Sequence, residues 1–279
     1  MNFRAELVGS FSVGSNNNPT VEMIEAAFRH HGLNYRYINC EVHPKNLQTA
    51  VNGARAMGWL GFNCSIPHKV EVINYLDGLG ESASVIGAVN CAVLKDGKYI
   101  GENTDGKGFL KSLREKINPL GKSFLIFGAG GAARAISVEV ALAGAGKITI
   151  VNRDQSRGDR LATLLNEKTE CPTTFVHWQG SYEIMRNVDV VVNATSIGMY
   201  PHVSQQLDIE MDSLEPHMIV ADVIVNPLRT SLIIDAEARG CAVLPGLGML
   251  VNQGVLSVKY WTGVDVDPKP MLDRIREIF

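Results

Sequence analysis

Apolar, β-rich runs alternate with helix-like segments along the whole chain, and this alternation restricts the fold more than any other feature. Strand candidates are residues 5–8, 35–40, 61–65, 88–94, 123–127, 147–151, 173–177, 188–193, 218–223 and 242–244. Helix candidates are residues 21–31, 44–57, 69–76, 106–116, 132–143, 157–166, 232–239 and 249–262. Such a rhythm predicts parallel sheets covered by helices, an α/β architecture. Short runs without polar alternation, such as Phe124-Leu125-Ile126-Phe127, fit strands buried on both faces. Residues 10–20 hold Ser, Gly, Asn and Pro and read as a loop before a helix capped by Thr20 or a neighbour.

With 279 residues the chain has room for one large or two ordinary domains. A net charge of −3 argues against a life on nucleic-acid backbones. No uncharged apolar run approaches the length of about 18 residues that a membrane span needs. The start of the chain lacks the basic and apolar stretches of a signal peptide, so a cytoplasmic location is expected. None of the five cysteines is spaced as CxxC, which suits free thiols in a reducing compartment. The histidines form no HxH or HExxH pattern, so no metal is expected.

The segment 124–127 leads into Gly128-Ala129-Gly130-Gly131-Ala132-Ala133-Arg134 and then an apolar helix. This is GxGxxA between a strand and a helix, the context that a dinucleotide-binding turn requires. Gly128 suits a tight turn, Gly130 lets backbone approach a pyrophosphate, and Ala133 allows close helix packing. The helix start offers N–H groups and a positive dipole end to an anion. A Rossmann-type, doubly wound domain follows. The next strand ends at Asn152-Arg153-Asp154-Gln155-Ser156-Arg157, where an NAD site usually carries an acidic residue for the ribose. Asn152 stands there instead, with Arg153 and Arg157 able to grip a 2′-phosphate. This favours NADP; Asp154 beside the phosphate would repel it and keeps NAD open.

Two further polar clusters stand out. Residues 61–69 run from a strand into a Pro turn and present Asn63, Ser65 and Lys69. Residues 101–109 read Gly-Glu-Asn-Thr-Asp-Gly-Lys-Gly-Phe. Together with Ala88-Val89-Asn90 they resemble the shikimate dehydrogenase family. Gly61–Lys69 resembles its GxNVTxPxK pattern with Cys64 for Val and Ser65 for Thr, and residues 86–91 resemble IGAVNT with Cys91 for Thr. Residues 103–109 match NTDxxGF, and residues 193–199 match NATSxGM, both without change. Residues 128–134 match GAGGAxR, and residues 152–157 match the NADP-linked NRTxxR with Asp154 for Thr. The ending GxxMLVxQ, leading to WTG, appears at residues 246–253 and 261–263.

The resemblance implies an NADP-dependent interconversion of a ring ketone and an alcohol on a cyclic polyhydroxy acid of the 3-dehydroshikimate/shikimate type. Lys69 and Asp105 would be the catalytic pair. The chemistry agrees, because hydride delivered to a carbonyl leaves an alkoxide that needs a cation or a proton donor. Asn63, Ser65, Asn90 and Gln253 would bind the substrate. Gly128, Ala129, Gly130, Gly131, Ala132, Asn152, Arg153, Arg157, Thr195, Met199, Gly246 and Met249 would serve the cofactor. By the same analogy a substrate domain comprises residues 1–104 plus 247–279, and a Rossmann domain spans 105–246. A monomer and a homodimer are equally acceptable.

The chain departs from the family in two places. Where the family's SxSP grips the substrate carboxylate, the segment here is longer by a few residues; Asn18-Pro19-Thr20 fits best, with Ser10, Ser12 and Ser15 as competitors. Where the family's DxxYxPxxTxL carries a tyrosine for that carboxylate, the segment 222–232 carries Val225. Both changes fall on one substrate group, which predicts a surviving reaction and a shifted substrate preference: quinate, another polyol acid, or poor activity on shikimate. NAD-linked quinate oxidation and a weakly active binding relative are the alternatives. A methylene-tetrahydrofolate dehydrogenase relative would share the layout, but the unchanged 103–109 and 193–199 motifs disfavour it.

Overall fold

A computed structural model describes residues 3–279. The chain divides into two compact units: residues up to Thr104 together with Val251–Ile278, and Asp105–Leu250. Both divisions fall inside helices.

The first unit begins with β1 (Glu6–Ser12), α1 (Thr20–His30), β2 (Tyr35–Glu41), α2 (Leu47–Ala56), β3 (Gly61–Cys64) and α3 (His68–Glu71). It continues with β4 (Gly78–Leu79), α4 (Glu81–Ile86), β5 (Cys91–Lys95) and β6 (Lys98–Glu102). These strands form one sheet in the order β2-β1-β3-β5-β6-β4. β1 pairs in parallel with β2 and β3, whereas β5 runs antiparallel to β3 and to β6. The sheet is therefore mixed, not parallel throughout as the alternation alone suggests. The reversal is made by Asp96-Gly97, both with positive φ (50° and 76°), the two-residue hairpin turn that such a dipeptide favours. Phe11, Trp59, Phe62, Val72 and Tyr99 pack the core of this sheet.

α5 (Thr104–Arg114) leads into the second unit. There β7 (Ser123–Phe127), α6 (Gly131–Leu142), β8 (Lys147–Asn152), α7 (Gln155–Lys168) and β9 (Thr173–His177) are followed by β10 (Val190–Asn193), β11 (Ile219–Asp222), α8 (Ser231–Ala238) and β12 (Ala242–Leu244). All pairings are parallel, in the order β12-β11-β10-β7-β8-β9. This is the doubly wound order, with its switch point between β7 and β10. β10 and β11 are buried along their full lengths and β7 along all but its first residue, as strands covered on both faces must be.

α9 (Gly246–Thr262) returns the chain to the first unit, and α10 (Lys269–Ile278) closes it. α10 buries Met271 and Ile275 and packs on α1, where Arg274 donates to Glu22 at 2.6 and 2.9 Å.

Several expectations need correction. Residues 10–12 belong to β1; Thr20 is the first residue of α1, so the cap falls to its neighbour. Pro19 occupies the cap position, and Asn18 Oδ1 accepts the Thr20 N–H at 3.1 Å in its place. Residues 88–90 lie outside β5; the Val89 N–H goes to the Lys69 carbonyl, and the Asn90 side chain bonds the start of α5 at Thr104. Among the described residues, no helix is long and apolar enough to cross a membrane.

Candidate active site

In the second unit the site grows from the switch point. Gly128, at the end of β7, has φ 111°, and a Cβ there would lie 2.8 Å from the Ala194 carbonyl oxygen at the end of β10. Only glycine lets these two strand ends approach so closely. Gly130, the N-cap of α6, has an ordinary φ of −85° and no atom within 4 Å of a Cβ built on it. The turn therefore leaves space above Gly130, beside a helix start that favours anions. Ala129 and Ala132 are half-buried on either side, and Gly131 opens the helix.

Asn193 organises the facing loop. Its Oδ1 accepts from the Thr195 N–H (3.1 Å) and hydroxyl (2.7 Å), while Nδ2 donates to Asp222 (3.1 Å) and to the Ile197 carbonyl (3.3 Å). Asp222 is buried and also accepts from Thr230 Oγ1 (2.8 Å) and the Ile224 N–H (2.9 Å). Burial raises its pKa, and these donors oppose the rise. The carboxylate thus ties together the ends of β10 and β11 and the segment carrying Val225. Ala132, Ala194, Thr195, Met199 and Val223–Asn226 line a pocket of about 490 Å³ at these strand ends. Ligands of open α/β sheets bind at such a position. Gly246, at the start of α9, packs against the 223–224 backbone, where a Cβ would meet Ile224 O at 2.4 Å. Neither Gly246 nor Met249 is among the residues lining the pocket.

At the tip of β8, Asn152 Nδ2 donates to the Asp154 carbonyl at 2.8 Å. Asp154 caps α7 by accepting the Arg157 N–H at 3.0 Å and pairs with the Arg157 side chain at 3.4 Å. The acidic residue that weighed against a 2′-phosphate is thereby engaged by the helix start and a cation. Arg153 is exposed, with its guanidinium 6.0 Å from the Trp178 ring centroid. The open turn, the helix start and two exposed guanidiniums make a donor set that fits a phosphorylated dinucleotide.

In the first unit the polar residues form two networks. Asn63 donates to the Asn90 carbonyl (3.0 Å) and Ser257 Oγ (3.3 Å) and accepts from Tyr37 Oη (2.9 Å). Asn90 Oδ1 accepts the Thr104 N–H at 2.6 Å, which fixes the start of α5. Both asparagines are buried, and much of their bonding capacity holds the scaffold. Gln253 is buried one turn before Ser257 on α9. The second network joins Ser10, Asn39 and Asn18. Ser10 donates to Asn39 Oδ1 (2.8 Å) and accepts from Asn18 Nδ2 (3.3 Å), and Asn39 Nδ2 donates to the carbonyls of Ser15 (3.2 Å) and Asn18 (2.9 Å). Tyr37, Asn39, Glu41, Thr104 and Ser257 escape the sequence reading. Tyr37, Asn39 and Glu41 alternate along β2, a period-two pattern that carries the signal.

Lys69 is half-buried on α3. Its turn is pinned by buried His68, whose Nε2 meets the Val42 carbonyl at 2.7 Å, and by the Val89 N–H, which donates to the Lys69 carbonyl at 2.7 Å. Ser65 accepts the His68 N–H through its carbonyl at 2.8 Å. Neighbouring Cys64 is fully buried, which pushes its thiol pKa well above the ordinary range. Asp105 is half-buried in the first turn of α5, where the helix dipole favours a carboxylate. Among the described residues, no group of three or more His, Cys, Asp or Glu is placed to hold a metal ion.

Comparison with known proteins adds the context. Residues 17–92 match the model of the shikimate dehydrogenase substrate binding domain, residues 112–228 that of shikimate / quinate 5-dehydrogenase, and residues 246–276 that of the shikimate 5'-dehydrogenase C-terminal domain. A shikimate dehydrogenase (NADP(+)) of Desulforamulus reducens is 40% identical, over 94% of this chain and 92% of the relative. The ligand-free crystal structure of 5-ketofructose reductase from Gluconobacter sp. strain CHM43 superposes with a TM-score of 0.97 at 52% identity, covering 100% of both chains. A shikimate dehydrogenase crystallised with NADP+ has a TM-score of 0.89 at 37% identity, covering 100% of this chain and 97% of the other. This chain belongs to the shikimate dehydrogenase family of oxidoreductases.

Proposed function

We propose that the protein is an NADP-dependent oxidoreductase that interconverts a ketone and an alcohol on a neutral polyhydroxy compound, with 5-ketofructose as the model substrate. The observation that carries the choice of substrate is the inward turn of the donors between β1 and α1. The Ser10 hydroxyl hydrogen goes to Asn39, and one Asn18 amide hydrogen goes to Ser10. Val225, in the second carboxylate-binding position of the family pattern, lines the pocket and donates nothing. A substrate carboxylate would lose its hydration without receiving a matching set of donors, which is costly. A sugar ketone carries no such group. The 52% identity to a 5-ketofructose reductase supports the same choice.

NADPH, when bound, supplies hydride to the carbonyl carbon. Gly128–Ala132 would hold its pyrophosphate, Arg153 and Arg157 with Asn152 its 2′-phosphate end, and Thr195 and Met199 its nicotinamide end; Gly246 and Met249 would support that end from α9. The carbonyl oxygen gathers negative charge during reduction and must gain a proton, and Lys69 and Asp105, the pair that the family resemblance implies, would supply it. Asn18, Thr20, Ser65, Asn90 and Gln253 would orient the hydroxyls, with Asn63 holding Asn90 in place. A site built this way discriminates against analogues that leave its polar groups unpaired. The five free thiols support a working location in the cytoplasm.

A steady-state panel tests this reading: 5-ketofructose and 3-dehydroshikimate reduced with NADPH or NADH, and fructose, shikimate and quinate oxidised with NADP+ or NAD+. The expected result is a kcat/KM for 5-ketofructose at least about 100-fold above that for 3-dehydroshikimate, with NADPH preferred, as site polar groups left unpaired imply. Efficient turnover of the ring acid would overturn the neutral-substrate reading.

A further inference from the structure

β2 carries a second device on the face that presents Asn39. Two residues further along, the Glu41 carboxylate reaches the segment after β1 and accepts the Gly14 N–H at 3.0 Å and the Ser15 N–H at 2.8 Å, one on each oxygen. Gly14 has φ 74°, and this left-handed residue turns the consecutive N–H groups to one side, where an anion can take both. These bonds hold the Glu41 pKa below its ordinary value. A 3-10 turn follows at Ser15–Asn17, and Asn39 then grips the Ser15 and Asn18 carbonyls. The segment is thus held at its entry by a carboxylate and at its exit by an amide, both from β2. Asn18, at the end of the turn, receives its position from these two clamps.

We infer that Glu41 is a positioning residue for substrate recognition: its carboxylate fixes the 14–18 turn and so sets where Asn18 presents its amide. The inference rests on the proposed role of Asn18 as a substrate contact. Glu41 touches no reacting atom, so its removal weakens substrate binding and leaves the chemical step almost unaltered. The carboxylate is replaceable only in part, because Gln keeps one acceptor oxygen and turns a donor toward the second N–H.

The test measures kcat, KM and Tm for Glu41→Ala, Glu41→Gln, Asn18→Ala and Glu41→Ala/Asn18→Ala. The probe is 5-ketofructose with NADPH, or 3-dehydroshikimate should that acid prove the better substrate in the panel. Expected for Glu41→Ala is a KM raised about tenfold with kcat within about twofold, and for Glu41→Gln a rise of about threefold, as the loss of charge-assisted bonds implies. In the double variant, loss of Glu41 adds nothing further to the KM of Asn18→Ala, because both act through one contact. An unchanged KM in Glu41→Ala, with a raised KM in Asn18→Ala, overturns the inference alone. Additive KM effects in the double variant, or a fall in kcat tracking loss of folded protein at constant KM, overturn it as well. An unchanged KM in Asn18→Ala removes the substrate role of Asn18, and the inference falls with it.

Discussion

Two strand-to-helix turns, one in each unit, meet similar geometric demands in opposite ways. The turn from β7 into α6 is kept bare: Gly128 permits contact with Ala194, and nothing crowds a Cβ at Gly130. The turn from β1 into α1 is filled with the protein's own polar groups, Asn18, Ser10, Asn39 and Glu41, which satisfy one another and its backbone. A bare turn leaves N–H groups for an external anion. A filled turn has spent most of its donors, among them the Ser10 hydroxyl, the Gly14 and Ser15 N–H groups and one Asn18 amide hydrogen, and adds a negative charge of its own. The difference teaches that a turn can keep its N–H groups open to an anion or spend them on its own side chains, and the proposed pairing of a phosphorylated cofactor with an uncharged substrate draws on that contrast.

The comparison can be broken most severely at Gly128. Gly128→Val forces a side chain into the Ala194 carbonyl at positive φ, and the strain should lower stability by about 2–3 kcal/mol and abolish cofactor binding. Thermal unfolding and NADPH titration read both effects. Gly130→Ala is the companion: its Cβ meets no protein atom, so Tm should hold while the KM for NADPH rises by about tenfold or more as backbone approach is lost. A fall in Tm without a change in that KM would show the turn to be merely structural. Next, Arg153→Ala/Arg157→Ala should raise the KM for NADPH by about 100-fold and leave NADH little affected, since guanidiniums serve the 2′-phosphate. Equal losses with both cofactors would reject that role.

On the segment after β11, Val225→Tyr restores a hydroxyl where the family pattern has one. It should raise the shikimate-to-fructose ratio of kcat/KM by about tenfold, the worth of one added hydrogen bond to a charged group. An unchanged ratio would show that the β1–α1 turn alone excludes acids. The smallest effect concerns pH. Arg55 and the Tyr99 N–H hold the Asp77 pKa below its ordinary value. A depressed carboxylate contributes stability that is present above its unfolded pKa and is lost as pH falls through the folded one. Asp77→Asn should therefore flatten the acid limb of a Tm–pH curve below about pH 4, the ordinary aspartate range, and a limb unchanged in this variant would assign acid unfolding elsewhere.

Legibility in the sequence followed how local each feature is. GxGxxA after a buried strand encodes its own turn, so the Rossmann unit and the turn itself could be read locally. The Asp96-Gly97 turn was equally local, and it was the short β6, with only five residues and a glycine at 101, that hid the hairpin and the mixed sheet. α10 was hidden by Pro268 and Pro270 around its start, although Met271 and Ile275 keep helical spacing. At residues 10–20 no local rule could succeed. The cap of α1 depends on Asn18, and Asn18 depends on Ser10 and on Asn39 from another strand.

The sequence by itself determined the α/β class, the dinucleotide turn, the family and the two positions where the chain departs from the family pattern, because each is written in neighbouring residues whose backbone preferences and motif spacing are local. Only the tertiary structure decided what occupies the polar groups at the first of these positions. Parallel pairing sets Ser10 beside Asn39 and Ser12 beside Glu41, and that register lets the side chains of β2 take up the donors of the turn after β1. Hydrogen-bond partners 24 to 27 positions apart are chosen by strand register, and register is a property of the folded sheet.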